Sequence, residues 1–329
     1  MNTIPPSLNA AIQRYQARSQ AGSLAGKTAQ MSERYRHGGR SDCALDFNAY
    51  LTARLPATFA AVAYCLAELA RRHPQFSPLS LLDAGSGPGT VSWAVAASYP
   101  NISAVTFLDN NERFLELARS LAAQSEHPAL RQARALEGDI NNLPPELSAD
   151  LTVAAYALAE LPVSQSGKAA VSLWRTCKNT LLIIEPGTPQ GFARIAQVRT
   201  ALMAEGANLI APCTHMNSCP MTDPDWCHFS VRLARSREHM HAKKARVPFE
   251  DEKFSYVIAA RQRLPLLGAR ILAPPHESKA EIKFKLCTQS GLDLHGVARR
   301  DKAEYKRVRK LEWGDLFEKL RAALFERTL

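Results

Sequence analysis

Between Leu79 and Leu202, short uninterrupted apolar runs alternate with segments whose apolar positions recur every three to four residues. The runs at 80–84, 104–108, 134–137, 151–155 and 180–184 have the length and all-round apolarity of strands buried on both faces. Segments 90–98, 111–123, 165–178 and 190–204 carry helical spacing. Strand and helix in regular alternation predict an α/β doubly wound parallel sheet with helices on both faces. Upstream, 8–18, 44–54 and 56–72 read as helices, with Pro56 at a helix start and His73-Pro74 at its close. Downstream, 254–260 and 269–273 read as strands completing the sheet, 281–300 as a hairpin turning at Ser290-Gly291, and a helix is predicted from about Trp313. The pattern divides the chain into an N-terminal helical region (1–75), an alternating strand–helix core (76–205), a cysteine-rich segment (206–248), and a stretch of sheet-completing strands, hairpin and basic tail (249–329).

The first strand runs into Gly85-Ser86-Gly87-Pro88-Gly89, and the first core helix follows at once. Glycines there let the chain reverse tightly and leave bare backbone for a ligand. A dinucleotide fingerprint spaces its glycines G-x-G-x-x-G. This turn is G-x-G-x-G, contains Pro88, and is preceded by Asp83. In that form it resembles the first motif of class I S-adenosylmethionine-dependent methyltransferases. Asp109, 20 residues beyond Gly89 at the end of the second strand, stands where such folds put the acid for both ribose hydroxyls. Asp139 and Ile140, after the third strand, stand where they put the adenine. The candidate cofactor residues are therefore Asp83, Gly85, Gly87, Gly89, Asp109, Asp139 and Ile140.

Acceptor chemistry is harder to find. The turn after the fourth strand lacks the Asn/Asp-Pro-Pro-aromatic sequence used on exocyclic base nitrogens, and no cysteine nucleophile stands there. Cys177 is the nearest cysteine, read as lying in the next helix. Tyr156 and Glu160 are the local catalytic candidates, each competing with a packing role. Arg54 and Tyr35 compete similarly between packing and covering the cofactor.

Of seven cysteines, Cys43, Cys65 and Cys177 are scattered and read as small buried apolar residues. Cys213, Cys219 and Cys227 crowd a proline-rich loop, spaced C-x5-C-x7-C, and Cys287 lies on the strand-like run 281–287. A loop of prolines and short polar residues buries too little apolar surface to order itself, so a bound metal is one organiser and free thiols or a disulfide are the alternative. The spacing departs from the close pairs of structural zinc. An iron-sulfur cluster takes four thiolates at irregular spacing, and a Cys-Pro pair such as Cys219-Pro220 suits it. His215 and His228 keep zinc open.

Here a more specific resemblance enters. The glycine turn, the spaced cysteines, Trp226-Cys227-His228-Phe229-Ser230 and Phe249-Glu250-Asp251-Glu252-Lys253-Phe254-Ser255-Tyr256 together resemble a methyltransferase-like family that includes mitochondrial small-ribosomal-subunit assembly factors and bacterial relatives. The similarity covers about 30–300. It implies a class I methyltransferase (Rossmann-like) fold with a cysteine-rich cluster-binding insertion and bound S-adenosylmethionine. It also implies a 4Fe-4S cluster on Cys213, Cys219, Cys227 and Cys287, and binding to the small ribosomal subunit. It leaves open whether RNA is methylated. The rival reading is a small-molecule S-adenosylmethionine-dependent methyltransferase with structural zinc.

Charge extends this picture. The net charge of +10 suits a polyanionic partner. Arg232, Arg235, Arg237, Lys243, Lys244 and Arg246 follow the cysteine loop, and Arg299, Arg300, Lys302, Lys306, Arg307, Arg309 and Lys310 form a second group beside Trp313. Both suit phosphates of 16S-type rRNA, against the alternative of solvated faces. No membrane partner is expected, since no run approaches a membrane span. The beginning of the chain, lacking acids yet ordinarily helical, reads as a bacterial cytoplasmic protein, with the mitochondrial matrix as the alternative.

Overall fold

The computed structural model describes residues 3–18, 47–235, 240, 246–266 and 268–318. Three helices precede the sheet: α1 (Pro6–Arg18), α2 (Phe47–Ala53) and α3 (Leu55–Arg72). Then come β1 (Ser80–Ala84), α4 (Thr90–Ser98), β2 (Ala104–Asp109), α5 (Glu112–Ala122), the short α6 (Pro128–Arg131), β3 (Arg134–Glu137) and β4 (Ala149–Ala155). Helix α7 (Ser166–Thr176), β5 (Cys177–Pro186) and α8 (Pro189–Ala204) complete the alternating part. Cys177 thus opens a strand and does not end a helix: the helix stops at Thr176, and the strand that begins at Cys177 becomes continuously apolar from Leu181 through Ile184.

The remaining chain closes one sheet and builds another. β6 (Asn208–Ala211), β7 (Phe229–Ala234) and the long β8 (Phe249–Ala260) join the first sheet, whose order is β3-β2-β1-β4-β5-β8-β6 with β7 also on β8. β1 to β5 run parallel, and β8 is antiparallel to β5. A parallel sheet reversing direction from its centre and ended by an antiparallel strand is the class I methyltransferase architecture. The second sheet comprises β9 (Ala269–Ile271), β10 (His276–Glu277), β11 (Glu281–Thr288), β12 (Gly291–Ala298) and β13 (Leu316–Phe317), with α9 (Lys302–Val308) before the last strand.

Period-two alternation divides the core between the two faces of the first sheet. Leu182 and Ile184 join the cluster formed with α3, α4 and α5, while Leu181 and Ile183 join the one formed with α7 and α8. Each such side chain contributes roughly 1.5–3 kcal/mol. The second sheet keeps its own small core around Phe284, Leu286 and Phe317. Among the described residues, no single helix is long and apolar enough to cross a membrane.

Further details differ from the sequence reading. The run 269–273, read as completing the first sheet, instead supplies β9 of the second, where it pairs with β11 and β13. In place of the helix predicted from about Trp313, Leu316–Phe317 pair with β9, and the rest of that prediction lies outside the described residues. β6 and β7 arise where only loop is read, because each finds its partner in β8. The charged segment 302–308 forms α9, supported by an Arg307–Glu304 pair one turn apart.

Candidate functional site

A pocket of about 740 Å3, open mouth included, lies at the carboxyl ends of β1, β2 and β4. This is where open α/β sheets bind nucleotides. Gly85, Gly87, Asp109, Asp139 and Ile140 line it together with Tyr50. Gly85 has φ +68, and a Cβ there would stand 2.5 Å from the Cβ of Ala157, so the turn tolerates no side chain. Asp109 is fixed in place: its carboxylate accepts from the Gly87 N–H at 2.7 Å and the Asn111 N–H at 3.0 Å. Burial pushes its carboxyl above the ordinary range while these amides pull it back. Asp139 accepts from the backbone and side chain of Asn141 at the exposed lip.

Two candidates lie behind the pocket. Asp83 is fully buried and accepts from the Ser92 backbone at 3.1 Å and its hydroxyl at 2.8 Å, securing α4 to the sheet. Burial pushes its carboxyl up to about 7. Gly89 caps α4 with φ +79, its missing Cβ leaving room for the Phe107 ring. Asp109, Asp139 and Ile140 thus meet at one pocket, whereas Asp83 and Glu185 do not line it. Glu185, also fully buried, accepts from the Leu158 N–H at 3.0 Å, and burial raises it to about 8 despite Arg194.

Tyr156 follows β4 at φ 61, the one non-glycine with positive φ among the described residues, a conformation costing of order 1–3 kcal/mol. What holds it is a buried network unread in the sequence. The Tyr156 hydroxyl donates to Glu252 at 2.8 Å, and Arg54 donates to the same carboxylate at 3.1 Å. The guanidinium also stands 5.3 Å from the Tyr156 ring centroid. Burial would lower the Arg54 value, but Glu252 overrides it and the value rises. Burial and Glu252 hold the phenol well above its ordinary range, so Tyr156 cannot serve as a base near neutral pH. Glu160 lines the pocket and is exposed. Tyr35 lies outside the described residues.

A second cavity, about 570 Å3 with its mouth, gathers the four cysteines. Cys213, Cys219 and Cys227 come from the loop between β6 and β7, and Cys287 from β11, so both sheets contribute. The loop has little apolar surface, and other elements hold it through its polar groups. Ser255 donates to the Cys227 carbonyl at 2.8 Å, Arg270 to that of Pro212 at 2.8 Å, and Trp313 to that of His228 at 3.0 Å. Thr214 donates to the Cys287 carbonyl at 3.3 Å, and Trp226 to that of Gly187 at 3.0 Å. Trp226 also stacks on His228, centroids 5.1 Å apart.

The chemistry of the cavity fits an anionic metal-thiolate group. Burial and the neighbouring sulfurs push the Cys227 thiol well above its ordinary value and that of Cys287 up to about 12. Burial also raises the Cys219 thiol, so without a cation to offset it the thiolate form is disfavoured at these three positions. The buried Arg199 and Arg270 line the same cavity. Arg270 is neutralised by Glu68 at 2.6 Å; Arg199 bonds the carbonyls of His215 and Asn217. Among the described residues no three His, Cys, Asp or Glu side chains are set to hold a metal ion as they stand. His228 donates no sulfur contact and instead faces the Trp226 carbonyl at 3.2 Å.

The basic groups separate into two kinds. Arg232 and Arg235 are taken up across the strand pair by Asp251 at 2.7 Å and Glu250 at 3.3 Å. Arg237, Lys243 and Lys244 lie outside the described residues, and Arg246 is exposed. In the second group Arg299 pairs with Glu277 and Arg307 with Glu304, while Arg300, Lys302, Lys306, Arg309 and Lys310 are exposed around α9.

A family model described as mitochondrial small ribosomal subunit Rsm22 matches residues 44–318. Over 300 residues the chain is 29% identical to the human ribosome assembly protein METTL17, mitochondrial, covering 84% of this chain and 63% of that protein. Over 327 residues it is 24% identical to Rsm22-cox11 tandem protein 2, mitochondrial, of Schizosaccharomyces pombe, covering 82% of this chain and 42% of that one. The chain therefore spans less than two thirds of the length of these relatives. Among solved structures it is similar to magnesium protoporphyrin IX methyltransferase (ChlM) from Synechocystis PCC 6803 with bound SAM. That likeness has TM-score 0.43 and 14% identity, and covers 74% of this chain and 100% of that chain.

Proposed function

The chain belongs to the Rsm22 family, and from that premise we propose that it is an assembly factor of the small ribosomal subunit that binds S-adenosylmethionine and a 4Fe-4S cluster. One observation carries the reading: a single continuous family match spans both the pocket at the strand ends and the four-cysteine cavity. The Asp109 carboxylate would receive the ribose hydroxyls, the bare backbone of Gly85 and Gly87 would border the amino-acid end, and Asp139 and Ile140 would border the adenine. Asp83 and Gly89 would keep that floor rigid. Cys213, Cys219, Cys227 and Cys287 would hold the cluster, which when bound supplies a cross-link between the two sheets and an electron-accepting centre. The partner in this reading is 16S-type rRNA, reached through exposed cations around α9, and binding should weaken with salt.

RNA methylation is a separate matter. The Tyr156 hydroxyl is committed to Glu252, which supports a packing role for it and leaves exposed Glu160 as the remaining candidate. Donor binding without transfer is therefore the form of the proposal. Immature small subunits incubated with the protein and radiolabelled S-adenosylmethionine should bind the protein and acquire no label. Labelled rRNA would replace this reading with that of a working methyltransferase. The curated relatives are mitochondrial by name, which favours the mitochondrial matrix over the cytoplasm expected from the sequence.

A further inference from the structure

His215 touches one of the four sulfurs and has no part in the reading so far. Its Nε2 lies 3.4 Å from Cys287 Sγ, both residues are buried, and His215 is only 5% exposed. Solvent therefore cannot replace this contact. The ring is also held from its own backbone: Arg199 bonds the carbonyls of His215 and Asn217, and the Asn217 side chain donates to the Gln289 carbonyl at 3.0 Å. Thr214 on the other side ties to the Cys287 carbonyl itself. The imidazole and the sulfur are thus placed by tethers across the two segments and need no shared metal ion to bring them together.

Resting on the cluster proposed above, we infer that His215 is a positioning residue for Cys287. Its Nε2–H donates to the Cys287 thiolate, and this bond, with no ligation by the imidazole, makes the cluster easier to reduce. Four thiolates complete the ligand set, so the ring has no coordination role left to fill. A ligated thiolate only accepts hydrogen bonds, so the imidazole can meet it only as a donor. Hydrogen bonds to cluster sulfurs and exclusion of water are the means by which a protein moves a cluster's potential. Donation withdraws charge from the sulfur and so favours the state carrying one more electron. The corner of the cluster held by Cys287 becomes the one distinguished from its neighbours by an imidazole.

The test uses the full chain purified anaerobically as wild type, H215L and H215Q. Iron and sulfide are assayed, the midpoint potential is measured by optical titration with dithionite, and the reduced cluster is examined by electron paramagnetic resonance. Both variants should retain wild-type iron and sulfide. H215L should shift the potential to more negative values with an altered resonance. H215Q, whose amide N–H can occupy the Nε2 position, should move it back toward wild type. Should H215L not fold, H215M fills similar volume without a donor and takes its place. Loss of iron on removing the imidazole would show that it is a ligand, and retained iron with unchanged potential and resonance would show that the contact is inert; either overturns the inference. Wild-type protein without iron and sulfide would remove the cluster reading itself.

Discussion

Asp109 is where residue-scale chemistry decides ligand binding. Its carboxylate stands at the pocket wall with both oxygens fixed by backbone amides, so Asp109→Ala would remove the proposed ribose acceptor and loosen the Gly87 turn together. Charged hydrogen bonds of this kind are each worth about 1.5–3 kcal/mol. Calorimetry should therefore show S-adenosylmethionine binding weakened by roughly a hundredfold; unchanged affinity would make the acid a turn brace alone. The buried acids give a second prediction. Asp83 and Glu185, raised by burial to about 7 and about 8, stay protonated in the fold where the unfolded chain has already ionised. The stability they confer is complete below pH ~4 and is lost as pH rises through about 8. Wild-type resistance to urea should fall between about pH 5 and pH 8, and Glu185→Gln should flatten the decline. An identical slope in the variant would show that Glu185 ionises without penalty. Asp109, Gly85 and Gly87 were legible because glycine and acid at fixed spacing have few other uses. Arg54 and Glu252 were not legible as partners of Tyr156, because they converge from 102 positions before it and 96 after it.

At the scale of elements, β8 joins the two sites. Glu252 near its start meets the Tyr156 network, Ser255 bonds the Cys227 carbonyl, and Tyr256 lines the cysteine cavity. The alternating apolar runs of β1, β2, β4 and β5 were readable because strands buried on both faces need no distant partner to declare themselves. β6, β7 and β13 were not, since each exists through pairing with β8 or β9. The clamp between the sheets is Arg270, 1% exposed, which donates to the Pro212 and Gly314 carbonyls and to Glu68. Arg270→Met leaves Glu68 Oε1 and two carbonyls without this donor, a loss of about 3–5 kcal/mol by analogy with broken buried pairs. Chemical denaturation reads this directly, and a change under about 1 kcal/mol would show that Arg71, which also bonds Glu68, suffices.

Considered as a whole molecule, the protein carries an excess positive charge that its own acids only partly offset. The sequence shows two basic runs, yet it cannot show that β8 supplies Asp251 and Glu250 to the first of them. Under the proposed function, the exposed cations of α9 are therefore the better candidates for RNA contact. Neutralising Lys302, Lys306 and Arg309 should reduce the salt dependence of small-subunit binding, by a slope of roughly two if all three meet phosphates. An unaltered slope would move the contact to another face. The claim on which the account most depends is that sulfurs from the β6–β7 loop and from β11 hold one cluster between two sheets. Its most direct test is metal and sulfide analysis of the anaerobically purified chain beside Cys287→Ser. The account predicts ~4 iron and ~4 sulfide per wild-type chain, no stoichiometric zinc, and loss of iron in the variant. One zinc without iron, or a variant that keeps its full complement, would contradict it.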